Sequence, residues 1–339
     1  MNVTIGLVLV AVAGILQGSF VLPMTLTRDW KWEHTWAMFS LMGMLVFNWI
    51  IGLAVLPRLG EAIVSTPLRD IVVLLMLGAC WGVGAILFGL GMEKLGLAVG
   101  YPVIMGLILC LGALIPLVES GASHFLAKPG LMLLAGSLVV LFGIVLCAQA
   151  SERKSGDTGS GGRRTPHAST RPGMVIAVFA GILSCLPNVG LNNAAELTAS
   201  AARLGATPGM AANAAWVVQF TAGFAVNFAY CAILMVRRRN TAALLGRNTL
   251  YNLVLVGAMA LMWIGSFYLY GMGAARTGRW GAILGWPLFI SLAIVVGNLW
   301  GLGRGEWSSA PRQARAQLNR GLAAVLLAVV LFAFGSAMR

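Results

Sequence analysis

The sequence predicts an all-α integral membrane protein with ten transmembrane helices, arranged as two inverted five-helix repeats. Three observations support this. Hydrophobic residues make up 59% of the 339 residues and charged residues only 10%, whereas a soluble domain carries about 25% charged residues. The apolar residues fall into runs of about 20, the length that crosses a bilayer. Short motifs recur in the same order in the two halves of the chain.

Ten apolar runs define the helices, and their length excludes barrel strands, which are about 10 residues long and alternate in polarity. The predicted helices 1 to 10 are 3–25, 33–56, 68–91, 97–118, 128–149, 173–195, 208–235, 249–271, 280–302 and 319–338. Most connections are short, so consecutive helices are expected to be antiparallel neighbours.

A polar segment, 150–172, separates helix 5 from helix 6. It contains four Gly and several charged residues, a composition typical of a flexible linker. We therefore predict three parts: a first five-helix repeat over 1–149, the linker 150–172, and a second repeat over 173–339.

The repeat prediction depends on motifs that match in order. The matched pairs are Gly14-Ile15-Leu16 with Gly181-Ile182-Leu183, Trp81 with Trp263, Gly91-Met92 with Gly271-Met272, and Gly100-Tyr101-Pro102 with Gly285-Trp286-Pro287. An odd number of helices in each repeat inverts the second copy, and inverted repeats around a midplane site are typical of secondary transporters. The alternative is chance similarity among Gly-rich helices.

The net charge of +13 is explained by topology and does not indicate nucleic-acid binding. Of the 23 Lys and Arg residues, 16 follow helices 1, 3, 5, 7 and 9, and 7 lie on the other side. The positive-inside rule places the first group in the cytoplasm. We predict a multi-pass protein of the bacterial inner membrane, with both termini periplasmic and 150–172 cytoplasmic.

Catalytic and cofactor motifs are absent from the sequence. The three His residues avoid the span centres, and the five Cys are scattered through apolar runs. The Gly-rich run 78–84 lies inside an apolar helix and lacks the Lys and Ser of a phosphate loop, so helix packing explains it better. We predict no enzyme activity, no cofactor and no metal.

Buried amides and aromatic residues are the best candidates for a binding site, because a polar group in hydrocarbon needs a partner or a water-filled cavity. Amides could bind sugar hydroxyls, and Trp rings could stack on the C–H face of a sugar. The predicted substrate-binding residues are Gln17, Trp81, Asn188, Asn192, Gln219, Trp263 and Tyr268. The alternative for each amide is a hydrogen bond between helices. Pro187, next to Asn188, is also expected to kink helix 6.

Two carboxylates at helix ends are the candidates for proton coupling. Glu119 ends helix 4 and Glu196 ends helix 6. Partial burial would raise the pKa of such a group and let it carry a proton, whereas the alternative is that each is a solvated helix end.

Several motifs together resemble the L-rhamnose–proton symporter family of the drug/metabolite transporter superfamily. They are Gly14-Ile15-Leu16-Gln17-Gly18-Ser19 with Pro23, Trp30-Lys31-Trp32-Glu33 with Trp36, Trp81-Gly82-Val83-Gly84, Leu95-Gly96, Asn193-Ala194-Ala195, Met262-Trp263 with Tyr268 and Tyr270, and Gly305-Glu306-Trp307. The resemblance spans nearly the whole chain. It implies import of a 6-deoxyhexose such as L-rhamnose by proton symport, so the expected partners are a small sugar, a proton and the lipid bilayer.

Two alternatives to a sugar importer stay open at this point. One is an exporter or exchanger of another small metabolite on the same fold. The other, from a different class, is a membrane assembly protein that does not transport, although such a protein would not need a series of amides through its core.

Overall fold

The architecture is entirely helical in the part of the chain that the structure, a computed structural model, describes: residues 3–157 and 171–338. Nine helices there are long and apolar enough to cross a membrane, and a shorter apolar helix accompanies them. They are α1 Val3–Leu26, α2 Trp32–Val55, α3 Leu68–Met92, α4 Val103–Glu119, α5 Lys128–Asp157, α6 Arg171–Asn192, α7 Ala211–Arg237, α8 Thr249–Thr277, α9 Gly281–Gly303 and α10 Arg312–Ala337. The predicted all-α membrane class with about ten helices is confirmed.

The chain reverses direction between α3 and α4 although its backbone stays helical from Leu68 to Glu119. In a straight helix, residues 91 and 100 would be about 13 Å apart. Instead, a Cβ placed on Gly100 would lie 3.3 Å from the carbonyl oxygen of Gly91. The two arms therefore form a tight hairpin, as the prediction of two separate helices requires.

Helix α6 is interrupted where proline was expected to interrupt it. One part runs over Arg171–Ser184 and the other over Leu186–Asn192, so the break immediately precedes Pro187. Proline lacks an N–H and its ring clashes with the preceding turn. A further short helix, Ala195–Arg203, follows α6.

Several features of the helices differ from the sequence prediction. Helix α5 extends to Asp157, so 150–157 is helical and not part of a linker, because Glu152, Arg153 and Lys154 favour helix. Residues 158–170 of the predicted linker lie outside the described residues. Helix α10 begins at Arg312, directly after Pro311. In α2, Ser40–Phe47 is a π-helix, which hydropathy does not reveal.

The helices group into two compact units. The first unit comprises the described residues of Met1–Val83 and Leu186–Gly278, and the second those of Gly84–Cys185 and Arg279–Arg339. Each unit combines segments from both halves of the sequence. The inverted-repeat relation between the halves 1–149 and 173–339 is a separate matter and stays a prediction.

Glycine pairs let helices pack closely within each unit. In the first unit, a Cβ on Gly6 of α1 would lie 3.0 Å from the carbonyl oxygen of Gly273 in α8. In the second unit, a Cβ on Gly143 of α5 would lie 2.8 Å from the carbonyl oxygen of Gly321 in α10. Small residues at helix crossings are how membrane helices gain van der Waals contact.

Candidate functional site

All seven predicted substrate-binding residues belong to the first unit. Five of them are at most 9% exposed: Trp81, Asn188, Gln219, Trp263 and Tyr268. Gln17 is partly buried and Asn192 is exposed. The fold thus gathers most of the set in one interior, although the hydrogen bonds of its members differ in an informative way.

The two tryptophans predicted as stacking surfaces pack against each other. The rings of Trp81 in α3 and Trp263 in α8 stack at 5.8 Å between centroids, with an interplanar angle of 19°. Phe220 of α7 contacts both, at 5.1 Å from Trp81 and 4.7 Å from Trp263. Direct contact leaves no room for a sugar ring between the two indoles, so in this conformation they form one wall.

Two of the predicted polar residues make hydrogen bonds between helices. The Tyr270 hydroxyl donates to Asn188 Oδ1, joining α8 to α6. The Tyr268 hydroxyl lies 3.2 Å from Asn48 Oδ1 and 3.1 Å from the Asn48 carbonyl oxygen, joining α8 to α2. The interhelical alternative weighed for the buried amides therefore describes Asn188 in this conformation.

Gln17 is held more loosely. Its Oε1 accepts a hydrogen bond of 2.8 Å from the Ser266 hydroxyl, which also contacts the Trp263 carbonyl oxygen at 2.6 Å. A glutamine side chain also carries two N–H donors. Ser266 therefore links the Gln17 side chain to the backbone of Trp263, and the Gln17 N–H groups can donate to a ligand.

Gln219 differs from the other buried amides of the predicted site. Its side chain is 0% exposed, and neither Oε1 nor Nε2 has a hydrogen-bond partner among the described residues. An amide buried without partners costs about 1–3 kcal/mol. Buried polar groups in native proteins are nearly always paired, whereas the Gln219 amide keeps hydrogen-bonding capacity that no described residue uses.

Glycines make space for Gln219. A Cβ on Gly190 of α6 would overlap the Gln219 amide, and a Cβ on Gly78 of α3 would overlap the Gln219 backbone. One turn further along α7, a Cβ on Gly223 would lie 2.7 Å from the ring of Trp81. Gln219 thus lies where α3 and α6 pack closely against α7, one helical turn from the contact between Gly223 and Trp81.

The predicted coupling carboxylates are not buried in this conformation. Glu119, at the end of α4, and Glu196, in the first turn of Ala195–Arg203, are both exposed. Of the two interpretations of each carboxylate, a partly buried proton-binding group or a solvated helix end, this exposure matches the solvated helix end. Their role in proton coupling stays a prediction.

Sequence reasoning missed a buried carboxylate at the start of α2, Glu33, which pairs with the exposed Arg238. Glu33 is 1% exposed. Arg238 Nη1 lies 3.1 Å from Glu33 Oε2, and Asn240 Nδ2 donates a hydrogen bond of 2.7 Å to Glu33 Oε1. In the sequence, Glu33 belongs to the family motif Trp30-Lys31-Trp32-Glu33 and to the first turn of a helix, and neither feature indicates burial.

The next residue, His34, is fully buried. Its Nδ1 accepts a hydrogen bond from the Lys31 N–H, and its Nε2 lies 3.0 Å from the Asn240 carbonyl oxygen. This geometry fits a neutral imidazole protonated at Nε2.

These features define a class: a multi-pass helical membrane protein whose interior holds a cluster of aromatic rings and a buried amide without a partner among the described residues, as in small-molecule transporters. The family model described as "L-rhamnose-proton symport protein (RhaT)" matches residues 1–338. The chain therefore belongs to the L-rhamnose-proton symport protein family.

Individual relatives agree with the family model. The chain is 27% identical to the L-rhamnose-proton symporter of Escherichia coli O17:K52:H18 (strain UMN026), over 99% of this chain and 98% of the relative. It is 26% identical, with the same coverage, to the L-rhamnose-proton symporters of E. coli strains SMS-3-5 and S88. The relatives are named as symporters and not as enzymes, which supports the predicted transporter class.

Proposed function

We propose that this chain imports L-rhamnose, or a closely similar 6-deoxyhexose, by proton symport through alternating access. Membership of the family over residues 1–338 supports the reaction class. The single structural observation that supports a sugar site is the fully buried amide of Gln219, which has no partner among the described residues and lies one turn of α7 from the contact between Gly223 and Trp81.

In this proposal the Gln219 amide binds sugar hydroxyls, since one amide both donates and accepts hydrogen bonds. Gln17 adds donors near Ser266, and the indoles of Trp81 and Trp263 present an apolar face to the sugar C–H groups. Asn188 and Tyr268 position the helices through their hydrogen bonds. Asn192 is exposed here, so it would contact sugar on entry or in another conformation.

A panel of ligands tests the substrate. L-rhamnose should raise the melting temperature of the purified protein, because a ligand that binds only the folded state stabilises it by mass action. Amino acids, nucleotides and drug-like amines should not. Stabilisation by an amino acid or a nucleotide instead of a sugar would favour the exporter or exchanger alternative.

The energetics of one-proton coupling are sufficient for import. A proton crossing a potential of about 150 mV releases about 3.5 kcal/mol. At about 1.4 kcal/mol per tenfold, this supports roughly 300-fold accumulation of a neutral sugar. An import role therefore does not require ATP or a second ion.

The coupling residue can be sought by replacing each carboxylate. Glu119→Gln and Glu196→Gln are the variants for the predicted coupling sites, and Glu33→Gln adds the buried carboxylate. The variant that removes the coupling group should lose uphill accumulation and keep downhill exchange, because glutamine cannot release a proton. Glu61→Gln, in an exposed pair with Arg58, is the control and should transport normally. Uphill accumulation by all three variants would exclude these acids.

The orientation is proposed from the asymmetry of basic residues, 16 against 7. Alkaline phosphatase, which is active only in the periplasm, should be active when fused after Arg339. A fluorescent protein that folds only in the cytoplasm should be fluorescent when inserted within 155–165. Alkaline phosphatase and fluorescent-protein fusions measure the two cases. The reverse pattern would overturn the orientation and leave the helix assignments unaffected.

A further inference from the structure

The second unit contains a cavity that the proposed sugar site does not include. Its volume is about 310 Å³, at the lower end of the range of about 300–1,000 Å³ for small-molecule pockets. The lining comes from the turn before α4, from α5, from α9 and from the loop after α9. Its polar and aromatic members are Tyr101, Ser151, Lys154, Asn298, Glu306 and Trp307.

Trp307 is a buried aromatic residue in the lining of this cavity. Trp307 is 7% exposed, and the Lys154 ammonium lies 4.9 Å from the centroid of its ring. This cation–π contact fixes the lysine beside the indole. Glu306, next in sequence to Trp307, is exposed, so side chains of both charge signs line the cavity.

Helix α9 contributes an amide to the lining. Asn298 Nδ2 donates a hydrogen bond of 2.8 Å to the Ile294 carbonyl oxygen of its own helix. The amide has a second N–H and an acceptor oxygen, which leaves it capacity for a ligand. Tyr101, partly buried, adds a phenol on another side of the cavity.

These groups select the chemistry of the ligand. The lining contains one lysine and one glutamate, so its net charge is zero. A polyanion would be repelled by the glutamate and would find only one positive charge to bind. A purely apolar ligand would strip water from both charges without replacing their hydrogen bonds, which is costly. A ligand with several hydroxyls both donates and accepts, and its C–H face fits an indole. The lining therefore fits a neutral polyhydroxylated molecule of monosaccharide size.

We propose that this cavity is a second binding site for the transported sugar, separate from the residues around Gln219. The inference rests on the proposed function for the identity of the sugar. The ends of α5 and α9 are on the side that the count of basic residues places in the cytoplasm. The site would then hold sugar at the cytoplasmic end of the protein.

Protection from alkylation tests the second site in the full-length protein. Ser151 lines the cavity, so Ser151→Cys provides a thiol whose modification by a maleimide can be followed by mass spectrometry of its own peptide. At a concentration ten times the dissociation constant of the second site, L-rhamnose should slow this reaction about tenfold, because about one such site in eleven stays empty. The protection should persist when Gln219→Ala is added.

Matched charge variants identify the groups responsible. Glu306→Gln in the Ser151→Cys background should abolish the protection, and Lys154→Gln should do the same if the first variant does not fold. Glu152→Gln, on the same helix turn but outside the lining, should leave it intact. Protection that disappears with Gln219→Ala, or survives both cavity variants, would overturn the second site.

The two proposals fail differently. If L-rhamnose raises the melting temperature but never protects Cys at position 151, the second site is wrong and the proposed function stands. If L-rhamnose neither stabilises the protein nor protects the thiol, both are wrong.

Discussion

Gln219→Leu is expected to weaken L-rhamnose binding by about 5- to 150-fold while leaving the unliganded protein as stable as before or more stable. Hydrogen bonds from a buried amide to a ligand contribute about 1–3 kcal/mol, which corresponds to this range. Without ligand, the amide has no partner among the described residues, so a leucine of similar size removes an unsatisfied group. Isothermal titration and thermal unfolding of the same preparation measure both effects.

Asn227→Leu is the matched control, because Asn227 is an equally buried amide of α7 that is fully engaged. It accepts a hydrogen bond of 2.9 Å from Trp36 Nε1 and donates one of 2.9 Å to the Gly223 carbonyl oxygen. Its replacement should lower the stability and change sugar affinity little. If Gln219→Leu instead destabilises the protein as Asn227→Leu does and leaves affinity unchanged, Gln219 is structural and the proposed site is wrong.

Gly78→Ala is expected to be the most damaging single-methyl substitution in α3. The added Cβ would overlap the backbone of Gln219 in α7, and backbone cannot move aside as a side chain can. Overpacking of this kind costs about 1–3 kcal/mol or more. The melting temperature of the variant should fall, and its L-rhamnose affinity should fall with it because the Gln219 amide shifts.

Gly89→Ala in the same helix is the control, since a Cβ there would meet nothing within 4 Å. Replacing an unconstrained helical glycine by alanine should stabilise the protein by about 0.5–1 kcal/mol. Equal effects of the two substitutions would mean that α3 and α7 are not in the close contact described.

The helices could be predicted from the sequence because their length and composition are imposed by the bilayer. The break before Pro187 was also predictable, because proline acts on its own helix. The helical stretch 150–157 was missed because its polar composition was interpreted as a linker, although Glu152, Arg153 and Lys154 favour helix. The π-helix in α2 was missed because hydropathy does not record local backbone geometry.

The candidate site was predictable in residue type but not in arrangement. Amides and tryptophans in mid-span indicated a polar interior, yet the sequence could not distinguish Asn188, which pairs with Tyr270, from Gln219, which has no partner. That difference depends on contacts between distant segments. The burial of Glu33 was missed for the same reason, since its partners Arg238 and Asn240 are about 200 residues away in sequence.

Uptake of labelled L-rhamnose into proteoliposomes that contain only this protein tests the central claim most directly. With an acidic exterior and an interior-negative potential, we expect sugar to accumulate above its external concentration and to leak out again when a protonophore is added. Without a proton gradient, the sugar should only equilibrate. Accumulation that the protonophore does not reduce would contradict proton-coupled import. The absence of rhamnose-specific uptake by protein that still binds the sugar would contradict it as well.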